Sequence, residues 1–79
     1  MQGKNDPRIT LRVTAWRRMM SARGCTTATA QAEELGVHAS TIGRLCAGEV
    51  QPSSVFVARS LLFLGARFEE LFDVEEAAA

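Results

Sequence analysis

Histidine, cysteine, tyrosine and long apolar runs are all scarce or missing in this 79-residue chain. His38 is the one histidine and tyrosine is absent, so no nucleophile–base pair is visible and an enzyme is not expected. Cys25 and Cys46 are the only cysteines, fewer than a secreted disulfide scaffold carries. The spacing Cys25-x12-His38-x7-Cys46 lacks the closely paired ligands of a zinc site. Both cysteines therefore read as small hydrophobes, with no metal, cofactor or small-molecule ligand implied. No apolar run reaches the roughly 18 residues of a membrane span. The opening Met1-Gln-Gly-Lys-Asn-Asp6 has no apolar signal segment, so a soluble intracellular protein is expected.

A chain this short forms one domain, close to the lower limit at which an unaided core is stable. Strand-type alternation is rare, which makes locally packed helices the economical solution. The net charge of zero conceals an asymmetry. Residues 1–32 hold Lys4, Arg8, Arg12, Arg17, Arg18 and Arg23 against Asp6 alone. Residues 33–79 hold Arg44, Arg59 and Arg67 against Glu33, Glu34, Glu49, Glu69, Glu70, Asp73, Glu75 and Glu76. A polyanion would meet the N-terminal third, assisted by Arg44, while the neutral total implies weak non-specific attraction. These charges are equally compatible with simple solubility.

Gly24, Gly36, Gly48 and Gly65 each follow an apolar-periodic run, where glycine adopts the left-handed conformation that ends a helix. They divide the chain into helices over about 10–23, 27–35, 38–47, 53–64 and 68–75. In the first, Ile9, Val13, Trp16 and Met20 recur on one face, beside Met19, and Asp6-Pro7 fits a cap and first turn. Ile9–Thr14 is also rich in β-branched residues, which suit an extended arm equally well. Trp16 reads as a core anchor, with stacking on a ligand as the alternative. The second helix turns Ala28, Ala32 and Leu35 inward, with Thr26 or Thr27 as its cap. In the fourth, opened by Pro52-Ser53-Ser54, the core stripe is Val57, Leu61 and Leu64. Phe56 with Phe63 and Val55 with Leu62 make two further stripes around it. Apolar on most of its circumference, that helix has surface left for something beyond its own core. Glu69 and Glu70 suit the first turn of the fifth helix.

The segment Ala32–Leu45 carries the functional content. Two short helices meet at Gly36; Val37, Ile42 and Leu45 supply the second with an apolar stripe, leaving His38, Ser40, Thr41 and Arg44 outward. This is the form in which a helix N-terminus enters a DNA major groove. Small Ala39, Ser40 and Gly43 permit close approach to another surface, although Gly43 inside a helix costs about 0.5–1 kcal/mol relative to alanine.

From Thr26 to Phe72 the chain resembles the phage Cro/repressor (Xre-type) helix-turn-helix family. The resemblance is carried by Ala32…Leu35-Gly36-Val37, Ser40-Thr41-Ile42…Leu45, Gly48…Pro52-Ser53, Leu64-Gly65 and Phe68-Glu-Glu-Leu-Phe72. It implies an all-α, five-helix, lambda-repressor-like domain over 10–75, with a basic N-terminal arm (1–9) and a frayed tail (76–79). It implies a recognition helix at 38–47, with base contacts from His38, Ala39, Ser40 and Arg44 and with Gly43 facing the groove. It implies backbone contacts from Thr26, Thr27, Thr41, Gln51, Ser53 and Ser54. Arg44 suits either the O6/N7 pair of guanine or a phosphate, and His38 either a DNA contact or a plain cap. Lys4, Arg8 and Arg12 would follow the backbone or enter the minor groove as basic arms do. Three departures from the family stand out: Ala28 replaces a frequent glutamine, Gln31 a leucine, and apolar Met20 and Cys46 a common Arg–Glu pair.

The resulting expectation is a sequence-specific double-stranded DNA-binding transcriptional regulator, Cro-like or a small immunity repressor, in a bacterial cytoplasm. Family members usually dimerise on palindromic operators, and Phe56, Phe63, Phe68, Phe72 and Val74 are the candidate dimer surface, shared with ordinary core packing. The alternatives are an antitoxin-type regulator and a protein-interaction module that retains the fold. The neutral charge and acidic C-terminal half favour the latter.

Overall fold

The computed structural model describes residues 6–76. Strand β1 (Arg8–Leu11) leads into α1 (Val13–Ala22), followed by α2 (Ala28–Leu35), α3 (Ala39–Cys46), α4 (Ser54–Leu64) and α5 (Phe68–Leu71). Strand β2 (Phe72–Glu75) then returns antiparallel to β1, with Arg8 opposite Glu75, Ile9 opposite Val74, Thr10 opposite Asp73 and Leu11 opposite Phe72. Five helices form, but the all-α expectation is overturned by this two-stranded sheet. The first helix begins at Val13, not near 10, and the last stops at Leu71 instead of 75. At the C-terminal end tertiary pairing outweighs helical periodicity, whereas β1 forms where β-branched residues already suit an extended chain. The Arg12 N–H donates to the Leu71 carbonyl at 2.8 Å, and the Arg12 guanidinium meets the Asp73 carboxylate at 2.6 Å. Arg8 and Ile9, placed above in an arm, are instead rungs of the sheet. Lys4 and residues 77–79 of the tail lie outside the described residues.

The core gathers one face from every helix. Trp16, Met20, Leu35, Leu71 and Phe72 are almost wholly buried, and the Trp16 and Phe56 rings pack with centroids 5.4 Å apart. Trp16 Nε1 has no hydrogen-bond partner, so this anchor holds through packing alone. Hiding a side chain such as Leu35 or Leu71 contributes about 1.5–3 kcal/mol relative to exposure. The deepest stripe of α4 is Phe56, Ser60 and Leu64, whereas the sequence pattern pointed to Val57 and Leu61, which are half-buried. The hydroxyl of Ser60 donates to the Phe56 carbonyl at 2.7 Å, so its polarity is satisfied within the helix and the residue can face inward. Gln31 is also buried, and its Nε2 donates to the Cys25 carbonyl at 3.2 Å, closing the α1–α2 turn. Met20 is buried and Cys46 half-buried, and neither brings a charge into the core.

Short helices expose many terminal carbonyls, and two arginines cap them. Arg23 donates to the carbonyls of Phe63 (2.8 Å) and Leu64 (3.3 Å) at the end of α4, and its guanidinium sits 5.6 Å from the Phe63 ring centroid. Arg59 of α4 donates to the Leu35 carbonyl, the last of α2, at 3.0 Å. The next residue, Gly36, has φ +68°, and a Cβ there would lie 2.7 Å from Arg59 Nη1. Replacing Gly36 by alanine would combine left-handed strain with displacement of that guanidinium. Urea unfolding of Gly36→Ala is expected to show a loss of about 1–2 kcal/mol or more. Unchanged stability would mean that the turn has another permitted geometry.

Candidate nucleic-acid interface

The turn at Gly36 brings α3 back across α2 within three residues, so α3 buries Ile42 and Leu45 and turns its opposite side outward. That outer stripe consists of Ala39, Ser40, Gly43, Arg44 and Ala47, all exposed. His38 occupies the N-cap position but makes no side-chain cap bond, so its imidazole is not used in holding the helix. The amides of Ala39 and Ser40, in the first turn, have no intrahelical acceptor and point toward whatever faces the helix start. At the other end, the Glu49 N–H donates to the Arg44 carbonyl at 2.9 Å, and Glu49 Oε1 lies 3.8 Å from Arg44 Nε.

A groove runs along each side of α3. The first, about 470 Å³, is lined by Arg17 and Ser21 of α1, Thr26 and Gln31 around the start of α2, and Gly43 and Cys46 of α3. Arg17 is its only charged lining residue. The second, about 330 Å³, lies between α3 and the sheet, where Arg8 is offset by Asp73 and Glu75. A polyanion is therefore favoured along the first groove and opposed along the second. Arg17 and Arg18 make no ion pair or hydrogen bond among the described residues, whereas Arg12, Arg23 and Arg59 are committed to internal partners. Arg17 is thus a candidate interface residue that the sequence reading did not single out. It belongs to the basic cluster, but only the packing of α1 beside the start of α2 shows which of those cations reaches α3.

The candidate backbone residues are not equivalent. Thr27 Oγ1 accepts from the Ala30 amide at 3.1 Å and Ser53 Oγ from the Phe56 amide at 3.1 Å, so both are caps whose hydroxyl hydrogens remain available to an acceptor. Gln51 Oε1 accepts from the Ile9 amide at 2.8 Å, which makes Gln51 a brace between β1 and the α3–α4 segment, with its NH2 group left over. Thr26 and Ser54 are exposed, and Thr41 is half-buried. Arg8 reaches the Gly48 carbonyl at 3.4 Å and Arg12 is held by Asp73, so neither serves as a free arm.

The expected dimer surface divides. Phe56 and Phe72 lie inside the single chain and are not available to a partner. Phe68 is half-buried and stacks on Phe72, and Phe63 is half-buried beneath Arg23. Val74 is exposed; Leu62 (84% exposed) and Val55 are the other large apolar side chains at the surface. Phe56 escaped the sequence reading because α4 is apolar nearly all round, which leaves its inner face ambiguous, and Phe72 because β2 reads in sequence as a continuation of the last helix.

Among the described residues no helix is long and apolar enough to cross a membrane, and no group of three or more His, Cys, Asp or Glu side chains could hold a metal ion. No family model, curated protein or solved structure matches the chain. The site must be read from its own chemistry.

Gly43 is informative in this respect. It sits in the middle of α3 with helical geometry, and a Cβ built on it meets nothing within 4 Å. Nothing among the described residues requires glycine there. Gly43→Ala is expected to raise stability by about 0.5–1 kcal/mol in thermal or urea melts. A loss of stability would mean that the glycine has an internal role after all.

Proposed function

We propose that this chain is a sequence-reading double-stranded DNA-binding protein, a small transcriptional regulator that inserts α3 in the major groove. The observation that carries the proposal is Gly43: a destabilising residue, centred on the exposed stripe of α3, that the protein's own packing does not require. Its benefit is close approach of the helix to a broad surface, and the helix-turn-helix arrangement of α2 and α3 presents that stripe outward. Arg44 is the residue for guanine, since its guanidinium can bond O6 and N7 together. His38 and Ser40 are placed for base edges, and Ala39 for a thymine methyl. Arg17, Thr26 and the Thr27 hydroxyl are assigned to one sugar–phosphate strand along the first groove, and Ser53 and Ser54 to the opposite side. The resemblance of residues 26–72 to Cro/repressor sequences supports the same class, in its phage or bacterial-regulator form. An eight-residue α3 spans a short half-site, so two copies on an inverted repeat complete the proposal.

Selection of duplexes from a random library, followed by anisotropy across a salt series, tests this reading. Arg44→Ala is expected to lose about 1–3 kcal/mol on the selected duplex and little on random DNA. Arg17→Ala is expected to weaken both alike and to reduce the salt slope by about 1. Gly43→Ala should weaken binding while stabilising the fold. Failure to enrich any sequence, with equal affinity for random duplexes at low salt, would sink the proposal in favour of a protein-interaction module, to which the exposed Val55 and Leu62 are suited. A complex whose mass corresponds to one chain per selected duplex would remove the two-copy part.

A further inference from the structure

An acidic side chain stands on the reading surface itself. Gly48, at φ +77°, turns the chain back over the end of α3, so the Gly48 N–H donates to the Leu45 carbonyl (3.1 Å) and the Glu49 N–H to the Arg44 carbonyl (2.9 Å). The residue that supplies the carboxylate is thereby tied through its backbone to the residue that supplies the guanidinium. The side-chain contact is to one atom, Arg44 Nε, at 3.8 Å. Both side chains are well exposed (62% and 64%), so the pair adds little to fold stability and opens easily. Nη1 and Nη2, the two nitrogens of the fork that matches guanine O6 and N7, are left unengaged.

Two consequences follow for an arginine on a helix whose other outward residues are Ala39, Ser40, Gly43 and Ala47. A mobile Arg44 would reach phosphates on any sequence and contribute affinity without discrimination. Contact at Nε biases the guanidinium toward Glu49 on its Nε side, and the negative charge beside it disfavours a neighbouring phosphate. A carboxylate here lowers general attraction to DNA, and the first groove, where Arg17 lies, has no acid in its lining.

We propose that Glu49 is a specificity-determining positioning residue, which aims Arg44 at a base edge and suppresses its use on phosphates. This rests on the DNA-reading proposal above. The test compares wild type, Glu49→Gln, Arg44→Ala and the double variant in selection from a random duplex library, with anisotropy on the wild-type-selected duplex and on a random one. Glu49→Gln keeps the side-chain size and the backbone bond to Arg44. It is expected to bind random duplex about two- to fivefold more tightly and to lose preference at one guanine position of the selected sequence. In the Arg44→Ala background, the same change is expected to leave base preference unaltered. Undiminished guanine preference in Glu49→Gln, or an equal shift in preference without Arg44, would overturn the role of Glu49 while leaving DNA reading intact. Failure of wild type to enrich any sequence would overturn both.

Discussion

The carboxyl end of α2 fixes the geometry on which everything else depends. Gly36 reverses the chain in the left-handed region, and Arg59 arrives from α4 to take the carbonyl of Leu35, which that reversal exposes. One guanidinium thus ties α2 to α4 at the point where α3 departs. The departure of α3, and with it the outward stripe from Ala39 to Ala47, is braced by this part-buried hydrogen bond. Arg23 plays the matching part at the end of α4. In a domain with so little apolar volume, long basic side chains serve as caps, and their charge is then unavailable to a partner.

This use of arginine sharpens the electrostatics. An N-terminal third counted as strongly basic contains one residue, Arg12, neutralised by Asp73, and another, Arg23, consumed in capping. Arg8 lies in a groove with two acids. What remains beside α3 is Arg17, across the first groove from Gly43, and Arg44 at the helix end beside Glu49. The surface is sparsely charged, and that suits contacts that depend on placement more than on bulk attraction.

Much of this architecture was legible in the sequence because its punctuation is local. Gly24, Gly36, Gly48 and Gly65 all have positive φ, and α1 to α4 each end just before one of them. The outward side of α3 could be read from Val37, Ile42 and Leu45 alone. The sheet could not. Ile9 to Thr14 admitted an extended form, but no feature of that segment names Phe72–Glu75 as its partner, and Phe68–Val74 has a period that a continued helix also fits. The inner face of α4 was hidden by a serine whose hydroxyl is satisfied internally. Arg17 emerged as a candidate site residue only because α1 lines one groove with the start of α2 and with α3, a tertiary relation absent from any local pattern.

The β1–β2 sheet also imposes an order of events. It joins residues 8–11 to residues 72–75, the most distant pairing in the described chain, while α3 packs on α2 and α2 on α4, which lie closer in sequence. Closing so long a loop carries an entropic cost that local helix contacts do not bear. During synthesis the first strand emerges well before its partner. Ile9 and Leu11 therefore wait without their strand partners until residues 72–75 have been made. The unit that presents α3 can pack in the meantime, and the sheet acts as the clasp that closes it last.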